Sequence, residues 1–150
     1  MNKRFYYILF CFLIYGDCYA TDQTFSITIT IRKPITILVT QEFDFGTHEL
    51  TGASFNVTVE PEEKGSAIFK IEGSNSSVSY TVTEESIQLS NGKESIKVSD
   101  FKVTGGGTTG TGNIAEGELK NVGVGATAYI ASNQADTTYF GNATFRVTYN

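Results

Sequence analysis

The sequence has no tryptophan, one histidine, two prolines and two cysteines, and the scarcity of histidine and cysteine removes whole classes of chemistry. A catalytic triad needs a histidine base beside its nucleophile, so any triad here must be built on His48, which reads more simply as an exposed loop residue. Structural zinc needs several Cys or His ligands, which one histidine cannot supply. Both cysteines, Cys11 and Cys18, fall within the first twenty residues, so a chain cut after them holds its fold without a disulfide. Basic residues are scarce too, 11 against 16 acidic, which disfavours nucleic acid as a partner.

The start of the chain has a plan of its own. Lys3-Arg4 precede an apolar run from Phe5 to Tyr15, closed by Gly16-Asp17-Cys18-Tyr19-Ala20. A basic start, a short apolar middle and a small-residue end make a secretory signal peptide, expected over residues 1–20 with cleavage between Ala20 and Thr21. The apolar run is too short for a permanent helix across a bilayer, which takes about 20 residues. A lipid anchor on Cys18 would need small residues before it, and Tyr15-Gly16-Asp17 does not supply them. The expected mature protein is exported to the periplasm, cell surface or a fimbrium, without an integral membrane segment. Losing Lys3, Arg4 and Asp17 leaves it 9 basic and 15 acidic residues, a net charge of −6.

What the mature sequence has in quantity is Thr, Val, Ile, Phe and Tyr, whose branched or planar side chains pack well on a pleated surface. Apolar residues alternate at period 2 in Phe25, Ile27, Ile29, Ile31, in Ile35, Ile37, Val39, and in Phe55, Val57, Val59. Further strands are expected over 67–71, 78–82, 86–89, 96–103, 126–130 and 145–149. Asn91-Gly92 between two of them predicts a hairpin with a type I′ turn. Eight or nine short strands in one domain of this length predict an immunoglobulin-like β-sandwich, all-β, over residues 34–150.

Other motifs are weak. Gly110-x-Gly112-x-x-Ala115 matches a dinucleotide fingerprint by letter, but no helix follows it, so no cofactor is expected. The acidic runs Glu60, Glu62, Glu63 and Glu84, Glu85 read as solvated loop ends rather than a catalytic pair. No enzymatic activity is expected. The glycine-rich stretch from Gly105 to Gly112 predicts a mobile surface loop, and Gly105, Gly107, Thr109 and Gly112 are the candidate contacts if the protein is a binding module.

The informative segment is residues 21–33. Phe25, Ile27, Ile29 and Ile31 form one apolar strip, with Ser26, Thr28 and Thr30 on the other side, until Arg32-Lys33-Pro34 interrupts it. Pro34 lacks an N–H and fixes φ, so a continuous strand breaks there. Two readings follow. The strip pairs within its own domain, with Pro34 marking a switch between sheets; or it completes the sheet of a neighbouring copy by β-augmentation. Burying four such side chains contributes roughly 6–12 kcal/mol before entropy is subtracted, and an uncovered strip is an aggregation hazard.

The ordered set of local sequences carries a resemblance. Phe45-Gly46, Phe69-Lys70-Ile71-Glu72-Gly73 leading to Val78-Ser79-Tyr80-Thr81-Val82, Leu89-Ser90-Asn91-Gly92 leading to Ile96 through Phe101, Val124-Gly125-Ala126-Thr127, Tyr139-x-Gly141 and the closing run Thr144 through Tyr149 resemble a bacterial family of exported, pilin-like β-domains catalogued as a domain of unknown function. More distantly the chain is similar to cysteine-free chaperone-usher pilins of the colonisation-factor type. The resemblance implies that Phe25, Ile27, Ile29 and Ile31 are donor-strand residues and that Phe145, Val147 and Tyr149 line the acceptor groove. It also implies other pilin subunits as partners, with a periplasmic chaperone and usher. Thr137 stands where the family usually has Gly, a departure at the Tyr139 turn. The expected function is a pilin-like subunit of a surface fibre or adhesive structure. The alternative is a monomeric secreted module that binds a glycan or host protein, with residues 21–33 packed in its own fold.

Overall fold

The computed structural model describes residues 23–150, which form nine strands and no helix. The expected signal peptide and its cleavage point between Ala20 and Thr21 lie outside the described residues. The chain divides at Thr30/Ile31, and every strand belongs to the unit Ile31–Asn150.

In that unit β1 (Thr36–Gln41), β3 (Ala67–Glu72), β8 (Glu118–Ile130), β6 (Ser95–Val103) and β5 (Ser86–Ser90) lie side by side in that order, and β2 (Phe55–Val59) also pairs with β8. A second sheet has the order β7 (Thr109–Ile114), β4 (Ser76–Val82), β9 (Phe145–Tyr149). All pairings are antiparallel. The alternating residues meet across this sandwich-like domain. Ile71, Val78, Val98, Val103 and Val122 are fully buried, each contributing about 1.5–3 kcal/mol by removal from water. The sheets touch where Phe69 of β3 stacks on Phe145 of β9, ring centroids 4.2 Å apart and planes within 8°. The all-β expectation therefore holds.

Three local expectations do not. Residues 105–112 are not one mobile loop: Gly105 and Gly106 take positive φ in the turn after β6, but Thr109 to Gly112 belong to β7. These residues pair with β4, and their glycines clear Tyr80 of that strand: a Cβ at Gly110 would lie 2.2 Å from its ring. Glycine here makes room for a neighbour. The expected strand 126–130 begins eight residues earlier, at Glu118. Its first half hides in the sequence because Asn121, at φ 57°, sits where the register against β3 slips, and a bulge breaks alternation. The hairpin at Asn91-Gly92 forms, with Ser90 opposite Ser95, but its loop has four residues. Asn91 Oδ1 accepts the N–H groups of Lys93 and Glu94, both at 2.8 Å, and only Gly92 has positive φ. The two-residue turn with positive φ at both positions is instead Glu116-Gly117, closing Ala115 onto Glu118.

Candidate functional site

The site begins at the edge of the smaller sheet. β9 pairs with β4 on one side and is the last strand of its sheet. Asn150 N donates to Ser77 O, and Thr83 N donates to Thr144 O. Ladder bonds alternate in an antiparallel pair, so the even residues of β9 face β4. Phe145, Val147 and Tyr149 turn their main-chain groups to the open edge. Their half-buried side chains stand opposite Val82, Tyr80 and Val78, on the core face.

The strand across from that edge is uncovered on the side that should be covered. Ile37 pairs with the fully buried Ile71, and Val39 with Phe69, so both point to the core. Yet Ile37 is 37% and Val39 51% exposed. Since β9 sits over β3, the strand that would cover β1 is the one that would follow β9, and no described strand occupies that place.

From the Phe145 end of this gap opens a cleft of about 1000 Å³. Its floor is the larger sheet: Ala126 and Ala128 of β8, Ile96 and Val98 of β6, and Leu89 of β5. Its walls are residues 42–50 and 134–144. Asp44 N donates to Gly65 O at 2.8 Å and holds the first wall to the body of the domain. Two carboxylates hold the second. Glu94 accepts the Ala135 N–H and the Tyr139 hydroxyl, both at 2.9 Å, and these bonds, the Ala135 one foremost, lower its pKa. Glu84 accepts the Thr144 N–H at 2.8 Å, which brings its pKa down to about 2. Glu84 is therefore more than the solvated loop end expected of it.

At the far end of β9 the chain just before β1 is pinned. Lys33 N donates to Ser74 Oγ at 2.6 Å, and the Tyr149 hydroxyl donates to Lys33 O at 2.8 Å while accepting the Ser74 N–H at 2.7 Å. The Arg32 guanidinium lies 5.1 Å from the Tyr149 ring centre and donates to Asn150 O. Immediately upstream, Phe25, Ile27, Ile29 and Ile31 are 80, 84, 83 and 86% exposed, and no residue from 23 to 35 is in a strand.

Phe145, Val147 and Tyr149 thus come together on one edge. Gly105, Gly107, Thr109 and Gly112 do not form one loop, as the last two lie in β7. His48 is an exposed loop residue whose Nε2 is 2.7 Å from Phe45 O. Among the described residues no cluster of three or more His, Cys, Asp or Glu is placed to hold a metal, and no helix is long and apolar enough to cross a membrane. The walls of the cleft and the bare face of β1 are the parts that sequence reasoning missed. Two phenylalanines outside any expected strand, Phe43 and Phe45, were the available signal; their rings pack 4.7 Å apart at the cleft.

Fold and site together define an all-β, sandwich-like domain whose core stays open along one edge. The chain belongs to the family described as Domain of unknown function (DUF4402), whose model matches residues 35–149. No curated protein and no solved structure matches it.

Proposed function

We propose that this protein is an exported, pilin-like structural subunit that assembles by donating its N-terminal strand to a neighbour, building a surface fibre or adhesive structure. One observation carries the reading: the domain leaves the core side of Ile37 and Val39 bare beside the free edge of β9, and the same chain carries an exposed strip of four apolar residues at strand spacing. A strand added to β9 gains main-chain bonds from Phe145, Val147 and Tyr149 and seats alternate side chains in the gap. Head-to-tail donation of this kind gives open fibres, because the rotation between copies need not close. The partners are copies of this chain or related subunits, delivered by a periplasmic chaperone and usher, and the immunoglobulin-like reading of the sandwich belongs to the same proposal.

The test is an unboiled SDS gel of surface extract. A ladder of multiples is expected from the wild-type protein, and Ile29→Asp, which puts a charge into the middle of the strip, should remove it. A single band near the mature mass in the wild type would overturn strand donation in favour of the monomeric module.

A further inference from the structure

The strip and the cleft differ in more than shape. Directly after Ile31 come Arg32 and Lys33, both exposed. The residues lining the cleft include Glu42, Asp44, Glu49 and Asp136, all exposed, and none of the described lining residues is Lys or Arg. A copy with an expected net charge of −6 is repelled by another on average, and opposite local charge at the docking site offsets that repulsion.

Register brings the two charged groups together. With the strip antiparallel to β9 and Phe25 opposite Tyr149, Ile27 meets Val147, Ile29 meets Phe145 and Ile31 falls beside Ala143, a cleft residue. Arg32 and Lys33 follow within about 7 Å of extended chain, at the mouth of the cleft. The opposite direction would carry them to Tyr149, where the acceptor's own Arg32 already lies against the ring; like charges would then meet. Arg32 spends one N–H on Asn150 O, and a guanidinium has five, so donors remain for a carboxylate.

We propose that Arg32 and Lys33 of one copy pair with the acidic border of the cleft on a second copy of this chain, so that charge steers and orients the docking of the strip. The inference rests on strand donation and adds to it the identity of the partner and a dependence on salt. Charges at the border of an interface act chiefly on encounter rate and salt dependence.

The acceptor for the test is the full chain carrying Ile29→Asp, whose own strip is disabled, and the probe is a labelled peptide of residues 23–34. Wild-type peptide should bind. A peptide carrying Arg32→Glu and Lys33→Glu should bind about tenfold or more weakly at low salt, the gap closing near 0.5 M salt as the screening length falls to a few Å. An acceptor that also carries Glu42→Lys and Glu49→Lys should recover the reversed peptide. If the reversed peptide binds as well as the wild type at low salt, the charge inference is overturned while strand donation stands. If neither peptide binds to an acceptor that circular dichroism shows to be folded, strand donation itself fails and this inference with it.

Discussion

At the scale of single residues, two glycines show where the domain leaves room for a side chain and where it does not. Gly110 faces the Tyr80 ring, which is buried and cannot swing away, so Gly110→Ala forces a shift of β4 or β7. The expected cost is about 1–3 kcal/mol, read as a lower urea midpoint. Gly107 in the neighbouring turn meets its nearest atom at an ordinary 3.4 Å and has no left-handed φ, so Gly107→Ala should change stability by less than about 0.5 kcal/mol. Glu84 gives a pH signature. Its carboxyl stands at about 2 in the folded protein, against 4.5 as its ordinary value, because the Thr144 N–H stabilises the charged form. Above pH 4.5 the carboxylate is charged in both states and the bond contributes fully. Between 4.5 and 2 the unfolded chain takes up the proton first and the contribution declines; below 2 it is gone. Glu84→Gln should therefore lower the urea midpoint at pH 7, and the difference from wild type should vanish by pH 2. A difference that persists at pH 2 would show that Glu84 acts by something other than this bond.

At the scale of elements, β9 can be tested by which way its N–H groups point. Val147 sends its N–H to the open edge, whereas Thr148 donates toward β4. Proline is tolerated at an edge when the missing N–H faces outward. Val147→Pro should leave a folded monomer that cannot act as acceptor, seen as loss of the ladder with the far-ultraviolet spectrum retained. Thr148→Pro breaks the β4–β9 ladder and should lose the fold, at about 3 kcal/mol or more. The elements differ in how far they could be read from the chain. β2, β3, β4, β6 and β9 were legible because each carries its own alternation, one face in and one out. β7 was not, because Gly110 and Gly112 read as flexibility when they are clearance for Tyr80 and Leu119. The first half of β8 was not, because a bulge has no sequence period, and at Asn121 the only trace was a residue type that tolerates positive φ. β6 also carries a bulge, with Asp100 at φ 55° where the register against β8 slips, but the alternation on either side of it kept that strand legible. Turn chemistry misled in the same way. Asn91-Gly92 promised a two-residue loop, but the Asn91 side chain binds two N–H groups of a wider one, while the tight turn fell to Glu116-Gly117, a pair with a weaker signal.

At the scale of the whole molecule, the N-terminal apolar strip and the edge strand from Phe145 to Tyr149 were legible, and the cleft beside them was not. Phe25 to Ile31 is a local pattern that a reader of the chain meets within seven residues. The cleft is assembled from residues 42–50, Leu89, Ile96, Val98, residues 126–130 and 134–145, which share no motif and meet only after the sheets form. Openness of the core also makes a thermodynamic prediction that no single residue carries. Because the strip is more than three-quarters exposed at each apolar position, removing it takes little buried surface from the isolated domain. A chain lacking residues 21–32 should stay folded and monomeric, with a melting temperature close to that of the Ile29→Asp chain, and should fail to join a polymer. A strand that binds only the folded state stabilises it by mass action, about 2.7 kcal/mol at a hundredfold excess over Kd. Adding the 23–34 peptide in trans should thus raise the melting temperature of the truncated chain by roughly 10 °C, and the Ile29→Asp peptide should not. Were the truncated chain unfolded and beyond rescue by the peptide, the strip would belong to its own domain in solution, and the open edge of β9 would be closed from within.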